Sequence, residues 1–433
     1  MAKDKPAPSA PEFLFSEHLK KQGSFAAAGG VLHQWDEICW RPQDSEDAER
    51  IAYDFLRQTR PDRANASTAV SAVSTACMAV QAVPKRGKGV VIPCENGYVY
   101  ITEDGNLLPL AAPDKAAGLT YSLACRFDEL ATAKQFAAFI KSVLPDDDVR
   151  ELVQEYIGYS LIGDCRYQKA QMWLGSGSNG KGTLAQIVAA LHSKVCAISL
   201  DDLSGFGLAG MVGASLLYAD ETPARVDEQR LKTLISGDLI QIDRKYRDPL
   251  SLRPTGKFIC CANAVPSVSD QSYGFWRRWH IIPFLVQFKE MDQDVTLARR
   301  VISDELSGVL NWALEGLQRL LARGRFAPLP QAVLDAIEGG QKDSNSVMAW
   351  MQAEEVAFSE TFVYRQPKDS VYSIYAAWCK ENGLKACASN KFWERLSSIA
   401  GDELIERRLA TPVNAKCGTS AMKMVRFVNM VLV

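Results

Sequence analysis

Gly175-Ser-Gly-Ser-Asn-Gly-Lys-Gly-Thr183 follows an apolar run (Ala170, Met172, Trp173, Leu174) and precedes a helical pattern (Leu184, Ile187, Val188, Leu191). Strand, glycine-rich loop and helix in that order are what a phosphate-binding loop requires. Gly175, Gly177 and Gly180 let the backbone turn its N–H groups inward. The following helix offers its positive dipole end, and Lys181 brings a mobile charge for the β- and γ-phosphates. The stretch predicts an α/β nucleotide-binding core in which Gly175, Gly177, Asn179, Gly180, Lys181, Gly182 and Thr183 line the nucleotide. Gly182 stands where Ser or Thr normally ligates magnesium, so Thr183 is assigned that role. A glycine-rich turn with no ligand is the plain alternative.

Two further segments fit the same chemistry. Ala214-Ser-Leu-Leu-Tyr-Ala219 reads as a buried strand ending in Asp220-Glu221. A carboxylate beside a phosphate loop can hold magnesium, and the next one can polarise the attacking water. Asp220 is therefore the candidate metal ligand and Glu221 the candidate base, although two acids after an apolar strand are common on any surface. The strand Lys257–Ala262 ends in Asn263, an amide able to orient the lytic water or simply to cap a turn before Pro266. Phe275-Trp-Arg-Arg-Trp279 precedes another apolar strand, His280–Phe284. An arginine there can reach a γ-phosphate held by a neighbouring subunit, or Arg277 and Arg278 can be ordinary packing with solvated heads.

Composition bounds the rest. The chain has 433 residues, 47% hydrophobic and 23% charged, with a net charge of −2. That fits a globular chain of two or three domains and gives no global basic signature for nucleic acid. No apolar run is long enough to cross a bilayer, and Met1–Pro11 lacks the apolar core of a secretory signal. Eleven cysteines are scattered without zinc-ligand spacing, so reduced thiols in a cytosol are expected.

The motifs in this order resemble the superfamily 3 helicases, most closely the helicase part of phage and plasmid primase–helicases of the poxvirus type. Leu231–Asp238 with Asp243–Arg247 is similar to the family's segment between acidic strand and sensor. Glu305–Gly316 resembles its lid helix, and Tyr156–Ile162 and Asn96–Ile101 its helicase-associated N-terminal region. The resemblance implies an AAA+-like parallel sheet flanked by helices, an α+β N-terminal region and a C-terminal winged-helix domain. It also implies ATP and Mg2+ as cofactors and a homo-hexameric ring moving 3′ to 5′ on single-stranded DNA. Origin duplex and a separate primase or replication initiator are further implied partners, in the cytoplasm of a bacterial host at its nucleoid and away from any membrane. Carried over, Lys181 contacts phosphate, Thr183 and Asp220 hold magnesium, Glu221 activates water and Asn263 is the sensor. Arg277 or Arg278 is the finger acting across the subunit boundary, with Arg277 the preferred one.

Ile240–Arg253 alternates like a hairpin with a basic, aromatic tip: Arg244, Lys245 and Arg247 can neutralise phosphates, and Tyr246 can stack on a base. A solvated hairpin is the alternative; the resemblance sets it in the ring's pore with Lys245 gripping. From Val371 onward, two helical patterns (Val371–Cys379, Ser389–Leu396) and two strand-like runs fit a winged helix. Asn390, Lys391 and Arg395, with Arg407 and Arg408, are its candidate DNA contacts, or the module docks proteins. The expected division is 1–29 disordered or extended, 30–165 N-terminal region, 166–330 core with lid helices, 331–370 linker and connecting helix, 371–433 winged helix. In the N-terminal region the patterns predict a strand over Val31–Trp40 and helices over Glu46–Leu56, Thr68–Val83, Lys134–Val143 and Asp147–Leu161. A hairpin is expected over Val90–Leu110, turning at Asp104-Gly105. No primase-like pairing of acids on adjacent strands is evident, so unwinding without nucleotide polymerisation is expected. Three readings stand: a DNA helicase, an ATP-switched origin-binding or loader protein, and a nucleotidase or protein-remodelling ATPase.

Overall fold

The computed structural model describes residues 9–431 except 88, 201–202, 204–207, 209, 221–225, 245–246, 267, 269–271, 361, 385 and 414–420, and excludes the side chains of 243–249, 343–344 and 411–423. It separates into two compact units, residues 1–264 with 272–337 and residues 265–271 with 338–433.

The first unit begins with a helix, α1 (Pro11–Gln22), within the stretch expected to be disordered or extended. Pro11 suits a first helical turn, and Phe15 and Leu19, four residues apart, are buried on one face. They pack with β1 (Phe25–Ala28), β2 (Val31–Trp35), α2 (Ser45–Thr59) and α3 (Ala66–Ala79) around a small core, and β3 (Trp40–Pro42) and β4 (Gln81–Ala82) are the outer strands of the sheet β3-β2-β1-β4. The single strand expected over Val31–Trp40 is two strands, because the Asp36 carboxylate accepts from the Ile38 and Cys39 N–H groups and closes a turn between them. A hairpin follows, β5 (Val90–Cys94) with β6 (Gly97–Ile101). Its turn is at Glu95-Asn96. Asp104-Gly105 forms a second turn, closed by Gly105 N–H to the Thr102 carbonyl at 3.0 Å.

Helices α4 (Lys134–Val143) and α5 (Asp147–Ser160) lead to the central sheet. Its strands are β7 (Ala170–Leu174), β8 (Val195–Ala197), β9 (Leu216–Asp220), β12 (Lys257–Ala262) and β13 (Trp279–Pro283). They lie in the order β13-β7-β12-β9-β8, all parallel. Between them come α6 (Lys181–Ala190), α7 (Glu228–Ser236), the hairpin β10 (Ile240–Arg244) and β11 (Arg247–Leu252), and the short α8 (Tyr273–Trp276). Then α9 (Leu297–Asp304) and α10 (Leu306–Arg323) complete a parallel sheet flanked by helices. Trp173, Ile259, Cys261 and Ile282 share one core with α5, α6 and α10. Strands buried on both faces read as continuous apolar runs, which explains why β7, β12 and β13 were legible.

The seam between α5 and α10 is built for close approach. A Cβ on Gly316 would lie 2.5 Å from the Gln154 carbonyl carbon, and one on Gly158 2.6 Å from the Leu317 nitrogen. Beside them the buried Glu155 carboxylate takes Arg323 at 2.9 Å and the Ala327 N–H at 3.2 Å.

The boundary between units falls within α11 (Gln331–Ser344), not at 371. Within 331–370, expected to be a linker and connecting helix, α12 (Ser346–Ala353) buries Val347 and Trp350 against Val371, Tyr375 and Phe392. Here α13 (Lys368–Glu381) and α14 (Ser389–Ala400) pack with strands β14 (Gln366–Pro367), β15 (Glu406–Val413) and β16 (Ala421–Val428), the last two antiparallel.

Candidate functional site

The carboxyl ends of β7, β12 and β9 form one edge. Ala262 is in register with Leu174, and Cys261 with Asp220. In open parallel sheets ligands bind outside this edge. β12 stands between the strand that feeds the loop and the strand that carries Asp220, so Asn263 emerges between them.

The loop itself is held open around Lys181. Gly177, Ser178 and Gly180 all have positive φ, at 105°, 50° and 83°. Gly175 N–H donates to the Ala262 carbonyl at 3.0 Å, anchoring the loop to the sheet. A Cβ on Gly175 would strike the Asn179 side chain, and it would lie 2.7 Å from the Phe284 carbonyl. Lys181 is buried, and its Nζ donates to the Gly175 carbonyl (2.6 Å) and to Asn179 Oδ1 (3.0 Å). Burial pushes its pKa down; Cys261 and Asp220 oppose the shift. An ammonium desolvated with only neutral acceptors is short of an anion. The first turn of α6 adds to this, because its N-cap Gly180 has no side chain to satisfy the free N–H groups.

These groups line a cavity of about 890 Å³ with Gly177, Gly182, Thr183, Asp220 and Cys261. The residues fit a nucleoside triphosphate with its divalent cation: loop N–H groups and Lys181 for phosphate, Thr183 and Asp220 as oxygen donors. Gly182 is exposed to the cavity, and a Cβ there would meet nothing within 4 Å. The missing hydroxyl is therefore not a matter of space. Among the described residues no group of three or more His, Cys, Asp or Glu could hold a metal alone.

The opposite wall was not foreseen. It comes from α4 (Gln135, Phe139, Ser142) and from the segment after β13 (Phe288, Asp292–Val295, Arg300). Arg300 bridges the two, donating from Nε to Gln135 Oε1 at 3.0 Å and pairing with Asp294 at 2.7 Å. Arg300 and Thr296 hold the Asp294 carboxyl below the ordinary range. Tyr218, two residues before Asp220 on the same strand face, was also missed; burial, then Cys261 and Asp220, raise its phenol pKa.

Other predicted residues are placed elsewhere. Asn263 is exposed at the loop edge but is not among the cavity's lining residues. Glu221, Lys245 and Tyr246 lie outside the described residues, as do the side chains of Arg244 and Arg247, whose backbones pair at the hairpin's end. Arg277 and Arg278 precede β13, whose Trp279 pairs with Ala170, the first residue of β7. They sit at the amino edge of the sheet, and the phosphate loop follows its carboxyl edge. Five strand residues, roughly 16 Å at 3.3 Å per residue, separate the two edges, more than an arginine side chain spans. Arg277 is exposed, whereas Arg278 is half-buried and donates to Ser236 Oγ at 3.0 Å and to the Gly274 carbonyl. In the second unit Asn390, Arg407 and Arg408 are exposed and Lys391 is half-buried. Arg395 is half-buried with an unpaired Nε.

Parts of the chain match known proteins. Residues 173–278 match a family of unknown function (DUF5906), and residues 342–422 match the poxvirus D5 protein-like family. The chain is 26% identical over 169 residues to "Putative helicase L207/L206" of Acanthamoeba polyphaga mimivirus, a match covering 36% of this chain and 18% of that protein. It is 24% identical over 179 residues to "Putative helicase 184R" of Invertebrate iridescent virus 6, covering 37% and 18%. The matches therefore span under a fifth of the length of these two relatives. The apo structure of the NrS-1 C-terminal region (305-718) shares the fold with a TM-score of 0.53 at 10% identity, covering 98% of this chain and 100% of that one. An A form of that region gives 0.52 at 11% identity, covering 98% and 99%. These likenesses place a poxvirus D5 protein-like segment over residues 342–422 and show that the chain shares its fold with the NrS-1 C-terminal region. No helix among the described residues is long and apolar enough to cross a membrane.

Proposed function

We propose that this chain is an ATP-driven, Mg2+-dependent DNA helicase whose parallel sheet is an AAA+-like core of the superfamily 3 kind. Its copies form a ring, a homo-hexamer, that moves 3′ to 5′ on single-stranded DNA. The observation that carries the reading is the split between sheet edges. One edge offers a buried lysine, a capless helix start and Asp220 around a nucleotide-sized cavity; the other offers an exposed arginine that cannot reach it. If Arg277 stabilises transition-state charge, it does so on the nucleotide of an adjoining copy, and hydrolysis then occurs only at seams. Held by Thr183 and Asp220, a bound magnesium ion would supply neutralisation of phosphate charge. Within the chain, Lys181 holds phosphate, Thr183 and Asp220 orient the cation, Glu221 draws the proton from water and Asn263 orients that water. The β10–β11 hairpin, with Arg244, Lys245, Tyr246 and Arg247 at its end, grips the strand. The second unit is a winged helix in which Asn390, Lys391, Arg407 and Arg408 meet DNA; Arg395 is the weakest of the set, being half-buried. Origin duplex and a separate primase or initiator are the further partners, in a phage, plasmid or viral replication setting.

The test is unwinding of a forked duplex with ATP and Mg2+, with Lys181→Ala as control. Strand separation lost in the variant supports the reading. DNA-stimulated hydrolysis without strand separation would favour a loader, and hydrolysis indifferent to DNA would favour a protein-remodelling ATPase.

A further inference from the structure

The two residues ahead of β7 both hold Arg277. Gln168 Oε1 accepts a hydrogen bond from Arg277 Nη2 at 3.0 Å, and Lys169 Nζ donates to the Arg277 carbonyl at 2.5 Å. Neither contact is local, since the partners are 109 and 108 residues apart. Both are made at a cost. Gln168 has φ of 51°, in the left-handed region that glycine tolerates and glutamine avoids. Its own N–H closes a turn onto the Cys165 carbonyl at 2.9 Å, which fixes that backbone. Lys169 is half-buried against a second cation, and burial, then the charge of Arg277, lower its pKa. Strain and like-charge contact persist where the surrounding structure enforces them, and they concentrate at working sites. The neighbouring Arg278 is bound within its own chain instead.

We propose that Gln168 and Lys169 are positioning residues that aim the Arg277 guanidinium outward from the amino edge of the sheet. Lys169 fixes the backbone of Arg277 and Gln168 fixes the head group, so that an exposed, flexible side chain is presented in one orientation to the nucleotide of an adjoining copy. This inference rests on the reading that Arg277 acts in trans.

Gln168→Gly tests it, because glycine suits the left-handed backbone and takes away the side chain that carries the acceptor. A merely structural glutamine predicts unchanged or raised thermal stability and unchanged turnover. A positioning glutamine predicts that stability holds while kcat for ATP falls by about tenfold, roughly 1.4 kcal/mol, with KM within about twofold. Lys169→Met should act in the same direction, and Gln168→Glu, which keeps the acceptor, should retain most activity. Each variant is then mixed with an equal amount of Lys181→Ala chains, whose arginine faces are intact. Turnover per variant chain should recover on mixing, as it should for Arg277→Ala. Unchanged kcat in Gln168→Gly, or a loss that mixing does not rescue, overturns the positioning role when Arg277→Ala itself loses activity and is rescued. Failure of mixing to rescue Arg277→Ala overturns the trans reading beneath it.

Discussion

Gly180→Ala should uncouple triphosphate binding from folding, and the loss can be built from two parts. Gly180 has φ of 83°, so an L side chain there costs about 1–2 kcal/mol in backbone strain. A Cβ would also lie 2.5 Å from Val143 Cγ1 and 3.2 Å from Phe139 Cε2, because α4 packs directly on the loop. Overpacking of that kind costs about 1–3 kcal/mol. The sum is about 2–5 kcal/mol, relieved most easily by shifting the exposed loop and leaving the core intact. If phosphate is held only by the loop as it stands, affinity bears the loss, at least roughly thirtyfold by the tenfold-per-1.4 kcal/mol rule. Calorimetric titration with a non-hydrolysable ATP analogue and Mg2+ measures it. Val143→Ala in the same chain removes the contact but not the backbone strain, so it should recover only the packing part. Binding of Gly180→Ala within about threefold of the parent would refute the reasoning. A double variant no better than the single one would refute the role given to α4.

Glu155→Ala should lower the stability of the first unit by about 3 kcal/mol, toward the lower end for breaking a buried pair. Arg319 and Arg323 are about a third exposed and can turn to water, whereas the Ala327 N–H loses its acceptor; urea unfolding measures the change, and a shift under about 1 kcal/mol contradicts it. Gly316→Val should prevent close packing of α10 on α5 and yield insoluble chain at ordinary growth temperature, with recovery on cooling as the outcome that contradicts it. Stability should also fall with acid through His192, buried between Ser215 Oγ (2.9 Å) and Ser160 Oγ (3.2 Å). Burial depresses its pKa to about 3. The folded state therefore refuses a proton that the unfolded state accepts, so the contribution is complete above about 6.5 and lost as pH falls toward 3. The slope is about 1.4 kcal/mol per pH unit, and His192→Gln should flatten it in a pH series of denaturation midpoints.

What the sequence showed was local. The phosphate loop announces itself because glycine spacing, lysine and helix start lie within nine residues, and β12 because Phe258–Ala262 is one apolar run. The far wall of the cavity was hidden, since Gln135 and Arg300 meet across 165 residues and neither has a spacing signature. The same holds for Gln168 and Arg277. Elsewhere a turn signal misled: Asp104-Gly105 does turn, but Glu95-Asn96 closes the hairpin, held where Asn96 accepts the Phe127 N–H at 2.8 Å. Polar punctuation around 331–370 suggested a connector, yet Val347 and Trp350, three apart on α12, serve the core. Asp36 broke a strand through a side-chain bond that alternation alone does not reveal.

The position of β7 has a mechanical consequence. It is hydrogen-bonded over its length on both sides, to β12 and to β13, with every partner parallel and in register. Such a strand cannot slide without surrendering two ladders at once. The distance between the loop at one rim and the arginine at the other is thus fixed like the length of a ruler, and if copies of the chain meet at a seam as proposed, that seam opens or tightens only by tilting whole subunits.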